Sequence, residues 1–159
     1  MPELLFPRQI DNTFRGQWLA IWLFVPVVLM KAAMGFNVAG LNPWVSSRFI
    51  IHAADGVPID TFPADAAALL VFMFQAWGLA LLMLALLGVV ALVRYRALLP
   101  LMILSLGAEQ IGRTAISMMS LPPDSDQAVS VGAMINWGLS GALVLALILS
   151  LWRRGHSAA

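Results

Sequence analysis

The chain has no cysteine and few charged residues, and both deficits restrict its class. Of its 159 residues, 61% are hydrophobic and only 11% are Asp, Glu, Lys or Arg, with a mean hydropathy of +0.89. A water-soluble domain carries roughly 25% charged residues to cover its surface. The absence of cysteine excludes disulfides, thiolate metal sites, iron–sulfur clusters and thiol redox catalysis. The composition therefore predicts an integral membrane protein without thiol chemistry.

Four long apolar runs predict the fold. They cover about 18–34, 66–93, 97–119 and 128–152. At about 1.5 Å per residue a helix of such a length crosses a hydrocarbon core of roughly 30 Å, although the first run is only barely long enough. The runs lack the alternation of barrel strands, and open sheet edges are not viable in lipid. We expect a single all-α membrane domain, residues 1–159, folded as a four-transmembrane-helix bundle.

The arginines predict the orientation of this bundle. Six of them lie before the first run, between the second and third, and after the fourth: Arg8, Arg15, Arg94, Arg96, Arg153 and Arg154. The opposite side has only Arg48, together with five aspartates. Cytoplasmic segments carry the excess of Lys and Arg. Both termini and the "RYR" turn are therefore expected in the cytoplasm, and the arginines form no nucleic-acid-binding patch.

The first outer connection, residues 35–65, is too long to be structureless in a bundle. Asn42 is a candidate N-cap, Pro43 a first helical residue and Gly56 a C-terminal stop. These signals predict a short interfacial helix over about 43–54 that caps the outer end of the bundle.

Small residues near the polar part of the last two helices suggest close helix packing. Gly107 and Gly112 precede and follow Glu109, while Gly138 and Gly141 follow Asn136. Glycines let two membrane helices approach closely. We expect these four glycines, with Ser105 and Ser140, to allow close helix approach around Glu109 and Asn136.

Polar side chains occur at a similar depth in all four predicted helices. Counted from the cytoplasmic ends of untilted helices, they lie about 18 to 27 Å into the membrane. Gln110 adjoins this layer, and two tryptophans fall at the same height. A charge in lipid is expensive unless it is paired, so these side chains are expected to face one another. The predicted site comprises Lys31, Gln75, Trp77, Glu109, Gln110, Arg113, Asn136 and Trp137.

Two interpretations of this layer stay open. In the first, Glu109 pairs with Arg113 four residues later, Gln75 and Asn136 join helices by hydrogen bonds, and Lys31 extends to the outer surface. In the second, the same residues line a small polar cavity. Lys31, Arg113 and Glu109 sum to a charge of +1, which favours the cavity. A net-positive pocket suits a carboxylate, a phosphate or a quinone carbonyl.

The sequence also resembles a known group of membrane proteins. The resemblance rests on "LMKAAMGFN" at the end of the first helix, the hairpin "WGLALLMLALLGVVALVRYRALLPLMILSL", and "GRTAIS" in the third helix. This pattern is similar to that of the DoxX-like small four-helix bacterial membrane proteins. The resemblance implies a four-helix fold in a bacterial-type inner (cytoplasmic) membrane and the role of an auxiliary membrane subunit.

Three functions are compatible with these residues. The first is binding of an apolar or amphipathic ligand, a lipid or quinone-like molecule, or service as an auxiliary subunit with a membrane-complex partner or as a homo-oligomer. The second is a small transporter with Glu109 as coupling group. The third is an enzyme on a lipid-like substrate, with Glu109 as acid or base and Arg113 or Lys31 stabilising an oxyanion. Because no nucleophile motif or metal-ligand set accompanies the layer, we favour the first and predict no catalytic residue, metal or cofactor besides a bound lipid or quinone.

Overall fold

The structure is a computed structural model that describes residues 2–120 and 131–152, and in those residues it is helical without strands. Its helices are α1 (Pro2–Leu5), α2 (Trp18–Val38), α3 (Ser47–Asp55), α4 (Ala64–Arg94), α5 (Leu99–Ser120) and α6 (Val131–Leu151). Short 3₁₀ turns precede α4 and α5, at Ile59–Thr61 and Arg96–Leu98. The predicted all-α class is confirmed.

The first predicted run extends four residues further than expected, to Val38, so that α2 has 21 residues. The predicted start of the fourth helix at 128 lies outside the described residues. Three helical segments are long and apolar enough to cross a membrane: Trp18–Val38, Ala64–Arg94 and Gly132–Leu151. Helix α5 has 22 residues, but Glu109, Gln110 and Arg113 make it less apolar than these three.

Helices α2 and α4 form the closest helix pair, because glycine brings their backbones together. A Cβ on Gly78 would lie 2.6 Å from the backbone nitrogen of Ala39, and one on Gly35 would lie 2.7 Å from that of Leu82. Cβ contacts this short do not occur in real structures, so larger residues would force the helices apart. The crossing of α2 and α4 therefore depends on these two glycines.

Three of the four glycines that the sequence marked for close packing do not have that role. A Cβ on Gly112, Gly138 or Gly141 would meet no atom within 4 Å. Gly107 does face α6, where its Cβ would make an ordinary contact of 3.8 Å with Leu143. The expectation was wrong for the other three because they lie on the sides of α5 and α6 that face away from the bundle.

An apolar core runs between α2, α4, α5 and α6. Its fully buried members include Phe24 and Val28 of α2, Ala85 of α4, Ile103 of α5 and Leu143 of α6. The outer surface is also apolar, with large exposed side chains all around the bundle: Trp22, Leu29, Leu69, Leu87, Val93, Ile116, Met134 and Ile148. Water is a poor solvent for such a surface, whereas lipid chains are a good one.

The chain before α2 and the end of α6 meet at the α4–α5 turn, which we call the hairpin end of the bundle. Gln17 donates its backbone N–H to the carbonyl of Leu149 at 3.1 Å, and Ala97 donates to that of Asp11 at 3.3 Å. The N-terminal segment and the last turn of α6 are therefore on the same end as the turn, which is the relative placement that the arginine pattern predicts.

Helix α3 crosses the opposite end of the bundle, the α3 end, where it contacts α2, α4 and α6. It begins later than predicted, because Ser46 and not Asn42 is its N-cap: the Ser46 hydroxyl accepts the N–H of Phe49 at 3.3 Å. Asn42 instead accepts the N–H of Trp44 in a turn. Gly56 ends the helix with a φ of 67°, as expected from its sequence.

Candidate polar site within the bundle

Lys31 lies in the middle of the bundle and is completely enclosed. Its side chain has 0% exposure, and α2 continues for seven residues beyond it, about 10 Å toward the α3 end. The ammonium nitrogen donates to Glu109 Oε2 at 2.7 Å and to the side-chain oxygen of Gln110. The interpretation in which Lys31 extends to the outer surface is therefore wrong. Its partners are 78 and 79 residues away in sequence, which no local pattern could indicate.

Glu109 receives three side chains from three helices. Besides Lys31 from α2, Arg113 of α5 approaches Oε1 with its Nε at 3.4 Å, which is the expected pair four residues apart. The indole N–H of Trp77 on α4 donates to the same oxygen at 3.3 Å. With an opposite charge on each side, the carboxylate links α2, α4 and α5.

Gln110 and Asn136 form the polar contact between α5 and α6. The amide nitrogen of Gln110 donates to the Asn136 backbone carbonyl at 3.2 Å and to its Oδ1 at 3.1 Å. Arg113 Nη2 donates to the same Oδ1 at 2.9 Å and to Gln110 Oε1 at 3.2 Å. Asn136 thus orients Arg113 from the neighbouring helix, and the predicted interhelical hydrogen bond of Asn136 is present.

Arg113 is the least satisfied member of the cluster. Its Nε is buried without a hydrogen bond, although it lies within ion-pair distance of Glu109. Nη1 has no hydrogen-bond partner in the part of the chain that the structure describes. The guanidinium carbon is 5.0 Å from the centre of the Trp77 ring, a cation–π contact. The side chain keeps 28% of its surface exposed, so a further acceptor can reach it.

We call Lys31, Trp77, Glu109, Gln110, Arg113 and Asn136 the polar cluster. Within residues 2–120 and 131–152 it holds two cations and one carboxylate. Lys31 and Glu109 neutralise each other at 2.7 Å, so the uncompensated positive charge belongs to Arg113. Such a charge at membrane depth costs several kcal/mol unless an anion or water accompanies it.

Two predicted site residues are not in the cluster. Gln75 donates to the hydroxyl of Ser47 at 3.1 Å and thereby attaches α3 to α4. It lies two positions from Trp77, and about 200° of helix rotation separates their side chains. Trp137 is 57% exposed on the outside of α6. Both residues have the right height but the wrong helix face, and the buried hydroxyl of Ser47 was not identified as the partner of Gln75.

A separate apolar groove of about 170 Å³ lies between α5 and α6. Its lining consists of Ile103, Leu104, Gly107, Ala108, Ile111, Leu143, Val144 and Leu147. Its α5 residues are on the flank of that helix opposite Glu109 and Arg113, so the groove contributes no wall to the cluster. The described residues also contain no group of three or more His, Cys, Asp or Glu side chains placed to hold a metal ion.

No protein-family model, curated protein or solved structure matches this chain. The resemblance to the DoxX-like proteins stays a prediction.

Proposed function

We propose that the chain is a four-helix integral membrane protein whose polar cluster binds an amphipathic ligand, lipid or quinone-like, in the outer half of the bilayer. The single observation that carries this proposal is the partly exposed Arg113, which has no carboxylate of its own among the described residues once Lys31 and Glu109 have paired. A cluster that served only to join helices would not need a second charge, because a neutral donor can also form a hydrogen bond to Asn136. A ligand with a polar head group supplies the missing acceptors and covers the exposed part of the guanidinium.

The membrane setting is proposed for the whole bundle, including α5. Its polar face is turned toward α2, α4 and α6, while Ile111 and Met118 are exposed on the other side. A helix of 22 residues is about 33 Å long, enough to cross the hydrocarbon core. The hairpin end, with Arg94 and Arg96, would lie in the cytoplasm of a bacterial-type cell.

The orientation is tested with single cysteines, because the natural chain has none. We place one at Gln9, exposed near the hairpin end, and one at Asp60, exposed near the α3 end. In intact cells a membrane-impermeant maleimide should label only Asp60→Cys, and Gln9→Cys should react after permeabilisation. Labelling of Gln9→Cys in intact cells would refute the proposed orientation.

Ligand binding is tested by native mass spectrometry and solvent extraction of protein purified in a mild detergent. The wild type should retain an amphipathic molecule in stoichiometric amount, and Arg113→Gln should lose it. Arg94→Gln is the matched control, since Arg94 is exposed in the last turn of α4, far from the cluster. If the wild type retains nothing after gentle purification, the proposed function is wrong.

A further inference from the structure

The charges in the polar cluster restrict the ligand further. Resting on the proposed function, we infer that the ligand is an anionic amphipath with one negative charge in its head group, a carboxylate or a phosphodiester. The head group binds Arg113, and the apolar tail leaves the bundle between α4 and α5. Neutral quinones and zwitterionic lipids are poorer ligands for this site.

The number of charges follows from the pairing inside the cluster. Lys31 is inaccessible, with 0% exposure, and both of its described partners are protein oxygens. It therefore cannot contact a ligand, and its charge is cancelled by Glu109. Arg113 is the cation that a ligand can reach. One positive charge that lacks its own counter-ion among the described residues selects a head group with one negative charge.

The hydrogen-bonding groups of Arg113 also favour an anion over a neutral carbonyl. Nη2 already donates to Asn136 and Gln110, which leaves Nη1 as the terminal donor without a partner among the described residues. Trp77 occupies one face of the guanidinium at 5.0 Å, so a ligand meets its edge. An anionic oxygen at that edge adds the attraction between opposite charges to the hydrogen bond, which a neutral carbonyl oxygen does not supply.

The path of the tail follows from the exposed side of the cluster. Glu109 and Arg113 keep 20% and 28% of their side chains exposed, while Lys31 and Gln110 are fully buried. The two partly exposed residues share the side of α5 that meets Trp77 of α4. Ile116 lies on the same side of α5, one turn beyond Arg113, and is 66% exposed. It offers an apolar surface for the tail next to the cluster. The groove between α5 and α6 lies on the other flank and is not the tail site.

The experiment measures which defined molecules the purified protein retains. Phosphatidylcholine nanodiscs are doped in turn with oleic acid, phosphatidylglycerol, phosphatidylethanolamine or ubiquinone, and retention is quantified by native mass spectrometry. Oleic acid and phosphatidylglycerol separate a carboxylate from a phosphodiester, and inorganic phosphate tests whether the tail is needed. We expect one of the two anionic lipids to be retained over the neutral probes. We expect inorganic phosphate alone to bind weakly.

Substitutions at Arg113 and at Lys31 test the charge argument by different routes. Arg113→Gln should lower retention of the anionic lipid about ten- to a hundredfold, the value of one charged hydrogen bond, and Arg113→Lys should keep the preference for anions. Lys31→Met should lower anion retention as well, although Lys31 touches no ligand, because Glu109 then neutralises Arg113. Arg94→Gln should leave the preference unchanged. A photoreactive fatty acid should label α4 and α5 peptides around Trp77 and Ile116.

The outcomes separate this inference from the proposed function. The inference would be overturned if ubiquinone or phosphatidylethanolamine were retained in preference to both anions. It would also be overturned if Lys31→Met left anion binding unchanged. In both cases the proposed function, binding of an amphipathic ligand, would stand. Labelling at Val144 in the groove would overturn the tail position. A large gain of anion retention in Asp124→Asn/Asp126→Asn, two acids outside the described residues, would show that the chain supplies the counter-charge itself. Retention of no probe at all would remove both proposals.

Discussion

Replacing Glu109 by glutamine should destabilise the protein more than replacing Lys31 by methionine, although the two residues form one ion pair. Glu109→Gln preserves the shape of the side chain but leaves Lys31 as an enclosed cation, with a neutral amide and the Gln110 oxygen as its acceptors. Removing one partner of a buried pair costs about 3 to 5 kcal/mol, and a lone lysine at membrane depth costs about 3 kcal/mol on insertion scales. We therefore expect the free energy of unfolding to fall by about 3 kcal/mol.

Lys31→Met has a smaller expected effect, because Glu109 does not lose all its partners. Arg113 Nε remains at 3.4 Å and the Trp77 indole at 3.3 Å, and the carboxylate keeps 20% of its surface exposed. The substitution also removes the cost of burying the ammonium group. We expect a change of about 1 kcal/mol or less, because neutral replacement of a buried charge is often tolerated.

The double variant Lys31→Met/Glu109→Gln provides the decisive comparison. It contains the same unpaired Arg113 as Glu109→Gln but no enclosed lysine, so it should be more stable than Glu109→Gln by about 2 kcal/mol. The free energy of unfolding is measured by SDS titration in mixed micelles, with helix content followed by circular dichroism. If Lys31→Met costs as much as Glu109→Gln, or if the two effects simply add, the reasoning from the 2.7 Å pair is refuted.

The remaining predictions concern the scaffold around the cluster. Gly78→Val should lower the free energy of unfolding by about 1 to 3 kcal/mol, because the larger side chain overpacks against α2. Gly138→Ala should change it by less than about 0.5 kcal/mol, because no atom lies within 4 Å of the added Cβ. Equal effects in the same SDS titration would contradict the helix contact assigned to Gly78. Ile51→Ala should weaken the packing of α3 by about 2 to 5 kcal/mol, because the Ile51 side chain is fully buried. Tryptic cleavage within α3 should therefore accelerate, and an unchanged cleavage rate would argue against this packing role. Gln75→Leu should weaken the attachment of α3, because it removes the hydrogen bond to Ser47, and it should leave ligand retention by the polar cluster unchanged. Loss of the ligand in this variant would show that Gln75 belongs to the binding site.

The all-α class and the positions of the polar residues along their helices could be predicted from the sequence. A shortage of charge and long apolar runs predict helices in lipid, because backbone N–H and C=O groups in lipid must form hydrogen bonds with each other. The pairing of Glu109 with Arg113 was predictable as well, since residues four apart share a helix face at any packing angle. The helix stop at Gly56 follows from the same kind of local chemistry.

Only the tertiary structure decided which polar residues meet. Gln75 and Trp77 have nearly the same height, yet the rotation of α4 about its axis turns Trp77 to Glu109 and Gln75 to Ser47. The hydropathy of α4 does not specify that rotation, because lipid accepts apolar residues on every side. Likewise, the close crossing at Gly35 and Gly78 depends on two helices meeting at one point. The sequence marks Lys31 as an unusual cation, but the fold pairs it with Glu109 and leaves Arg113 partly exposed.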